Sequence, residues 1–394
     1  MDPSIILTTN YDSLREVIPA INYPVTYQQP QVPLTVQHVF VTPTADVAVE
    51  FVDSGRYNTL QRAKDAFAGN NFLAARDATN PFENIGRSIF MNRAAIKLAN
   101  VDAVLNVSPD VFTFDGKTST KAITFCDVAA GPGGFTQYLQ YRYPNGQGYG
   151  MTLKSKTLDW NSKLLDMKRF QPFYGPDNTG DLYNGWQSFV DFVLQKQPRG
   201  VDLVTADGGF DVEEGGDRTL LSKQEFLSSR LLVTQSLVGI GCTRVGGNFV
   251  LKVFDTVTRL SAQVIYVLAQ CFEEVIMFKP VSSRPANAER YLICLRRRSD
   301  VQQYYNVLAT AAKAYTANQY LSQIFAEPMN DNFVAWLREG NTESMERQLL
   351  SAQQILLYMQ GQKPAVPQYN IPKFLTIWNL PDTPPNKRHD RLVV

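Results

Sequence analysis

The sequence predicts an α/β fold with a mostly parallel central sheet, helices on both faces and an antiparallel hairpin at one edge. Apolar strand-like runs alternate with helical segments between about residues 120 and 300, which is typical of parallel strands joined by crossover helices. A Gly-rich turn follows the first of these runs. Two further runs, EEVIMFKP and ERYLICLRRR, follow one another with no helix between them, and this predicts the hairpin.

The first part of the chain precedes the alternating pattern. Residues 1–60 mix prolines with short β-prone runs such as VQHVFV and VAVEFV, and they predict an N-terminal extension of strands or extended segments. From about Asn58 the pattern becomes helical. A helix over NIGRSIFMNRAAIKLANVDAVL would bring four residues together on one face: Ile89, Ala94, Lys97 and Leu98. A lysine beside that apolar face is unusual.

The sheet itself begins with AITFCDV, a strand that ends near Asp127 and leads through the Gly-rich turn into an amphipathic helix. GYGMTLK is the second strand, and GVDLVTADGGF is a third, buried strand ending at Asp207. The helical segment SKQEFLSSRLLVTQSLVGIG then precedes the strand NFVLKVFD, which carries Lys252 near its end. A helix over residues 260–272 comes before the final pair of strands.

The chain therefore divides into an N-terminal extension, an α/β domain over 61–300, and a C-terminal helical and Pro-rich extension over 301–394. Hydrophobic residues make up 44% and charged residues 19%, which predicts a folded chain with a sizeable core and excludes a disordered or collagen-like one. The net charge of +1 means that a nucleic-acid groove would have to be a local cluster of Lys and Arg.

Cysteine and histidine usage argues against a structural zinc site. The four cysteines are scattered without a CxxC motif, and there are only two histidines. Each cysteine lies in or beside an apolar stretch, so we expect small buried side chains in a reducing compartment: Cys126, Cys242, Cys271 and Cys294. With no apolar run long enough to span a bilayer and no signal-peptide pattern, a soluble intracellular protein is expected.

The turn DVAAGPGGF, from Asp127 to Phe135, lets the backbone approach a ligand closely. GxGG alone is a weak signal that also suits dinucleotides. Two details favour S-adenosylmethionine: the turn lacks the GxGxxG spacing for a pyrophosphate, and Asp181, in TGDLY, follows the second strand. A carboxylate suits the ammonium, hydroxyl and amino donors of this cofactor, although a solvated loop acid is the alternative for Asp181.

A second constellation consists of four ionisable residues flanked by apolar sequence: Lys97, Asp207, Lys252 and Glu289. Buried charges require partners of opposite sign, and Asp207 and Lys252 lie near the carboxyl ends of strands, where open α/β sheets bind ligands. Activation of a ribose 2′-hydroxyl needs a base, and a lysine can serve if a second cation and partial burial favour its neutral form. From the residues alone, a structural salt-bridge network is the stronger interpretation.

Six blocks between about residues 75 and 296 favour a catalytic site over a structural salt-bridge network: NPFENIGRSIFMNRAAIKLANVD, DVAAGPGGF, GYGMTLK, TADGGFDVE, GGNFVLKVFD and KPVSSRPANAERYLIC. In this order they resemble the FtsJ/RrmJ-like 2′-O-ribose methyltransferases, and among these the cap-specific mRNA enzymes that convert cap 0 to cap 1. The resemblance implies a Rossmann-like S-adenosylmethionine-dependent methyltransferase fold that requires no metal.

The resemblance also implies roles for single residues. Lys252 would be the general base, Lys97 and Asp207 would tune and position it, and Glu289 would orient the lysines and the ribose. The implied cofactor contacts are Asn92, Asp127, Gly131, Pro132, Gly133, Gly134 and Asp181. The implied cap and RNA contacts are Arg76, Asn80, Asp217 and Asn287, with Lys64 and Arg87 as phosphate partners, for which surface solvation is the alternative.

Capped mRNA is the expected partner, with other capping or transcription proteins as further candidates and no membrane. We expect a nuclear protein by family analogy, or a cytoplasmic one if it is viral. Neither end resembles the recruitment modules of human-type members. Two alternatives stay open: the same chemistry on cap 2, rRNA or tRNA, and a non-catalytic RNA-binding subunit with the same fold, against which the complete tetrad argues.

Overall fold

The protein is represented by a computed structural model, which describes residues 24–25, 31–41, 48–67, 71–83, 85, 89–105, 107, 121–209, 224–315, 320–366 and 369–381. Its centre is a sheet of eight strands: β1 Pro24–Val25, β3 Thr124–Val128, β4 Gln147–Met151, β5 Phe170–Pro172, β6 Val201–Ala206, β7 Thr243–Phe254, β8 Phe272–Phe278 and β9 Glu289–Arg297. Their order across the sheet is β1-β8-β9-β7-β6-β3-β4-β5.

The strands β5, β4, β3, β6 and β7 run parallel, whereas β9 is antiparallel to both of its neighbours, β7 and β8. The predicted mostly parallel sheet with an antiparallel hairpin is therefore confirmed. The short strand β1 adds to the outside of this hairpin, antiparallel to β8. Strand β5 was not predicted.

Helices cover both faces of the sheet, as predicted. They are α1 Ser54–Asp65, α2 Phe72–Ala78, α3 Arg93–Leu105, α4 Gly134–Arg142, α5 Leu182–Lys196, α6 Gln224–Leu227, α7 Ser229–Cys242, α8 Arg259–Cys271, α9 Gln302–Ala314, α10 Asp331–Met359 and α11 Ile371–Ile377. One apolar core joins the sheet to α5, α7, α8 and α9. The other joins it to α3, α4 and α11. Burial of this apolar surface on two sides is what stabilises the layered fold.

The direction of the chain reverses within the sheet, and this reversal locates the candidate site. From β3 the chain moves outward to β4 and β5, whereas β6 and β7 lie on the other side of β3. Loops that leave β3 and β6 at their carboxyl ends therefore diverge, and they flank a crevice of the kind in which open α/β sheets bind ligands.

The helix predicted over residues 84–105 begins later, at Arg93. The Asn92 side chain accepts a hydrogen bond from the Ala94 N–H at 3.1 Å, and this satisfies a backbone donor that the first turn leaves unpaired. Ala94, Lys97 and Leu98 are helical as predicted, whereas Ile89 precedes the helix. The predicted helix near 222–241 is split into α6 and α7.

The two predicted extensions contact one another. VQHVFV forms β2, Val36–Val41, as expected, and it pairs antiparallel with β10, Tyr320–Phe325. Strand β10 lies in the segment that was expected to be helical, whereas VAVEFV forms no strand over its described residues 48–52. The division into three segments at residues 60 and 300 stays a prediction.

Two further expectations concern the cysteines and the membrane. All four cysteines are buried, with no disulfide between them, which fits their expected role as small apolar side chains. Within the described ranges, no helix combines the length and apolar character needed to cross a bilayer.

Candidate active site

Four ionisable residues meet at the carboxyl edge of the parallel strands. Asp207 directly follows β6, and Lys252 lies near the end of β7. Because β9 runs antiparallel to β7, its first residue, Glu289, is paired with Phe254 at this same edge. Helix α3 brings Lys97 to the group from outside the sheet. The structure therefore assembles all four residues of the predicted tetrad.

The tetrad forms two ion pairs. Lys97 Nζ lies 2.6 Å from Glu289 Oε1 and 2.9 Å from Oε2, and Lys252 Nζ lies 3.2 Å from Asp207 Oδ1. The side chains of Lys97, Glu289, Lys252 and Asp207 are 14%, 8%, 13% and 14% exposed. They are thus largely desolvated but still open to the crevice, so their charges are only weakly screened by water.

Glu289 is the anionic centre of this group. Its burial opposes ionisation, but the charges of Lys97 and Lys252 outweigh that effect and hold the pKa of the Glu289 carboxyl well below its usual range. The Ser283 hydroxyl adds a hydrogen bond of 2.7 Å to Oε1. Glu289 is therefore a carboxylate at neutral pH, and its charge acts on both lysines.

The sequence analysis did not single out two residues that support the tetrad. Tyr291 is two positions from Glu289 in β9, on the same face of the strand, and its hydroxyl donates a 2.8 Å hydrogen bond to Asp207 Oδ1. Ser283 lies in the turn before β9. A polar residue at i+2 from a strand-end acid was the signal that could have identified Tyr291.

A third missed residue, the half-buried Lys279, follows β8. Its ammonium donates to the backbone oxygens of Asn287 and Glu289, both at 2.8 Å, and to Asn287 Oδ1 at 2.9 Å. Burial lowers the pKa of Lys279 to about 7, although the nearby Glu289 charge opposes the shift. Lys279 thus closes the turn between β8 and β9, and a lysine at the end of the apolar run EEVIMFKP was its signal.

The predicted cofactor turn lies beside the tetrad, and Asp127 supports it from beneath. Asp127 is fully buried. Its Oδ2 accepts from the Thr136 backbone and hydroxyl at 3.0 and 2.7 Å, and its Oδ1 accepts from Thr205 Oγ1 at 2.7 Å. Burial raises the pKa of Asp127 to about 7 against these hydrogen bonds. In this arrangement Asp127 holds the turn, and its predicted contact with the cofactor stays a prediction.

Glycine is required in the turn because other chain segments approach it closely. A Cβ at Gly131 would lie 1.6 Å from the Leu158 carbonyl oxygen, and Gly133, which precedes α4, has a φ of 108° that favours glycine. A Cβ at Gly134 would lie 2.2 Å from Asn92 Oδ1. Pro132 contributes its carbonyl, which accepts from the Asn161 N–H at 3.0 Å.

Asp181 caps α5 on the same side of the crevice. Its Oδ1 accepts from the Tyr183 N–H at 2.9 Å and its Oδ2 from Asn184 at 2.8 Å. The preceding Gly180 packs against the Thr152 carbonyl, and Thr152 Oγ1 accepts from the Gly131 N–H at 3.2 Å. The half-buried Asp181 thus lies near the glycine turn, and its cap bonds leave acceptor capacity on both oxygens.

Three of the predicted cap and RNA contacts line one surface pocket: Lys64, Arg76 and Asn287. Arg284 and the stacked rings of Phe67 and Phe72 also line it. Hereafter it is called the cationic pocket. Arg87 and Asp217 lie outside the described residues, so their predicted contacts stay predictions.

Asn80 is not among the residues that line the cationic pocket. Its Nδ2 donates to Glu83 Oε2 at 2.6 Å, and its Oδ1 accepts from the Phe82 N–H at 3.2 Å. Glu83 also pairs with Arg284 at 3.1 Å and Arg93 at 2.6 Å. Burial opposes ionisation of Glu83, but Arg284 and Arg93 lower its pKa to about 2. Asn80 and Glu83 therefore hold Arg284 at the pocket.

Within the described parts of the chain, no group of three His, Cys, Asp or Glu side chains could hold a metal ion.

Comparisons with known proteins agree with this geometry. The family model described as FtsJ-like methyltransferase matches residues 90–297. Cap-specific mRNA (nucleoside-2′-O-)-methyltransferase 1 from Drosophila melanogaster is 32% identical over 381 residues, which cover 89% of this chain and 47% of that protein. The protein of the same name from Homo sapiens is 40% identical over 250 residues, which cover 58% of this chain and 29% of that protein. The chain thus spans less than half the length of these relatives.

A solved structure from Plasmodium falciparum, described as a ribosomal RNA methyltransferase, aligns over 52% of this chain and 97% of that chain with 18% identity. Its TM-score of 0.34 is too low to support an argument about fold or substrate.

Proposed function

The chain belongs to the FtsJ-like methyltransferase family, and on this premise we propose that it methylates the ribose 2′-hydroxyl of the first transcribed nucleotide of capped mRNA. The observation that carries the proposal is the presence of two largely desolvated ion pairs in a crevice beside the glycine turn. They join Lys252 with Asp207 and Lys97 with Glu289. The relatives named above carry the cap-specific name. Localisation in the nucleus is part of the proposal, by analogy with cellular capping.

The residues around the glycine turn fit S-adenosylmethionine, the methyl donor that this family implies. Asp181 offers anionic acceptors, and the turn at Gly131 and Gly133 brings backbone close to the crevice. The buried Trp160 Nε1, whose ring packs on Gly133, has no hydrogen-bond partner among the described residues. Such a buried donor favours a ligand with an acceptor. The bound cofactor would supply an electrophilic methyl group on a sulfonium.

Lys252 is the general base in this proposal. Asp207 Oδ1, itself held by the Tyr291 hydroxyl, fixes the direction of the Lys252 amine. In its neutral form the amine would accept the proton of the ribose 2′-hydroxyl. The ribose oxygen would bond to the methyl carbon as the bond from that carbon to the sulfonium sulfur breaks, which would leave a neutral thioether. The resulting Lys252 ammonium lies in the field of Asp207 and Glu289, so both carboxylates stabilise the charge that develops.

Lys97 and Glu289 act on this step without taking up the proton. The Lys97 ammonium holds both Glu289 oxygens, and this fixes the Glu289 carboxylate next to Lys252. The arrangement thus combines orientation with electrostatic preorganisation.

The residues that line the cationic pocket support a cap as the substrate group. Lys64, Arg76 and Arg284 suit the triphosphate bridge, and the amide of Asn287 can read the edge of a base. This combination favours capped mRNA over an rRNA or tRNA ribose, which offers no triphosphate.

The test measures transfer of a labelled methyl group to RNAs that are identical except for the m7G cap, followed by nuclease digestion to locate the methyl group. We expect the methyl group on the ribose of the first transcribed nucleotide, and only with the cap. Equal transfer to both RNAs would contradict a cap substrate and favour rRNA or tRNA instead. No transfer to either would favour the non-catalytic RNA-binding alternative.

The matched variant is Lys252→Ala, and the control is Lys313→Ala, which removes an exposed lysine in α9. Lys252→Ala should abolish transfer and leave cofactor binding nearly intact, whereas Lys313→Ala should match the wild type. Wild-type turnover by Lys252→Ala would refute the assignment of the base.

A further inference from the structure

The three cations of the cationic pocket have different kinds of partner. Arg76 pairs with Asp77 at 2.9 Å, and Arg284 pairs with Glu83 at 3.1 Å. Lys64 instead donates a 2.8 Å hydrogen bond to the amide oxygen of Gln348. Among the described residues, no carboxylate lies within salt-bridge distance of Lys64. With a neutral acceptor, Lys64 has no ion-pair partner among the described residues, and it lines the pocket.

Gln348 lies on α10, in the predicted C-terminal extension, and its amide has two different neighbours. Its Oε1 faces the Lys64 ammonium, while its Nε2 donates to Asp255 Oδ1 and to Ser344 Oγ, both at 3.3 Å. A cation on one side and a carboxylate on the other specify which way the amide points. Gln348 is 1% exposed and Lys64 6% exposed, so this bridge is shielded from water.

Helix α10 is itself fixed to the segment that follows β7. Asn341 Nδ2 donates to the Phe51 and Thr256 carbonyls at 3.0 and 2.9 Å, and Asn341 Oδ1 accepts from Arg290 at 2.7 Å. Arg290 also donates to the Asp255 carbonyl. Asp255 and Thr256 have φ values of 47° and 69°, which cost energy in residues other than glycine. These bonds hold the strained segment, and with it the position of Gln348.

We infer that Gln348 is a positioning residue for the substrate: it holds the Lys64 ammonium in the cationic pocket for a phosphate of the triphosphate bridge of capped RNA. The inference rests on the proposed function for the identity of that anion. It also makes α10, although it lies outside residues 61–300, a wall of the substrate site, to which Ile355 of the same helix contributes.

The perturbation is Gln348→Glu, which keeps the shape of the side chain. It places one carboxylate oxygen against Lys64, whereas the other replaces the Nε2 donor and faces Asp255 Oδ1. The new ion pair offsets the charge that the phosphate would meet, so the KM for capped RNA should rise by about tenfold. The kcat and the KM for S-adenosylmethionine should stay within about twofold of wild type, because neither Lys252 nor the glycine turn is touched. Gln353→Glu, at an exposed position of α10, is the control for added charge.

A double-mutant cycle separates this role from a structural one. In a Lys64→Met background, Gln348→Glu should add almost nothing to the KM for capped RNA, because the charge that it neutralises is gone. Gln348→Met, which removes the tether and adds no charge, should raise the same KM. Additive effects in the cycle, or a fall in kcat at constant KM, would overturn the inference.

Direct binding of a capped oligonucleotide, measured by fluorescence anisotropy, keeps the two proposals distinguishable. Weaker binding by Gln348→Glu than by wild type supports the inference even if the wild type transfers no methyl group, in which case only the proposed function fails. Equal binding by both overturns the inference even if cap methylation is intact. A wild type that does not bind capped RNA would overturn both.

Discussion

Lys97→Met tests whether the tetrad is held by buried charge. The change removes the partner that contacts both Glu289 oxygens and leaves the carboxylate with the Ser283 hydroxyl and the charge of Lys252. Removal of one member of a buried ion pair costs about 3–5 kcal/mol. Because Glu289 keeps the Ser283 hydrogen bond and Lys97 is 14% exposed, we expect a loss at the lower end, about 3 kcal/mol of unfolding free energy.

The double variant Lys97→Met with Glu289→Leu should recover most of this loss, to within about 1 kcal/mol of wild type, because no buried charge is left unpaired. Its methyl transfer should nevertheless stay at least about 100-fold below wild type, since preorganised charges next to Lys252 are missing. Stability and activity should therefore separate in the double variant.

Urea denaturation followed by tryptophan fluorescence, together with kcat at saturating substrates, measures both effects. Arg259→Met is the control, since the Arg259 and Glu50 side chains of that ion pair are 49% and 30% exposed and such pairs contribute less than about 1 kcal/mol. The folded-state pKa of Glu289 is depressed, so its stabilising effect is present above the ordinary value of 4.5 and is lost as the pH falls below it. A double variant no more stable than Lys97→Met would show that the stability loss does not come from an unpaired Glu289 charge.

Three further outcomes are expected. Tyr291→Phe removes the hydroxyl that holds Asp207, so kcat should fall about tenfold at constant cofactor affinity; an unchanged kcat would show that this hydrogen bond does not act on the base. Asp181→Ala should weaken S-adenosylmethionine binding by about 1–3 kcal/mol in calorimetry. Asn184→Ala, which loses only a neighbour of the helix cap, is its control. Equal affinity in Asp181→Ala and wild type would contradict the cofactor role of Asp181. Lys279→Met probes a half-buried lysine whose pKa is about 7 in the folded chain and ordinarily 10.5. Between these values the unfolded chain binds more protons than the folded chain, so the stability of wild type relative to the variant should rise with pH across that range. Denaturation curves in which this difference is independent of pH would contradict the lowered pKa.

Periodicity alone gave most of the elements of the sheet, because strand and helix patterns of apolar residues are local properties of the chain. It also placed Asp207 and Lys252 at strand ends. The start of α3 was predicted too early. Asn92 caps the helix at Arg93, and such a cap sets the helix boundary within a few residues, which apolar periodicity does not resolve. The pairing of β2 with β10 joins residues nearly 300 positions apart, and no local pattern encodes it.

At the site, the residue types follow from the amino-acid sequence, and the resemblance to the FtsJ-like family identifies the four residues of the tetrad. Tertiary contacts set the pairing of the charged side chains: Lys97 with Glu289, Lys252 with Asp207, and Lys64 with a glutamine from α10. They also place Asp127 beneath the glycine turn and make Lys279 a donor to the turn between β8 and β9. The physical reason is that pairing and desolvation depend on which distant segments come into contact, whereas strand and helix patterns depend on neighbours along the chain.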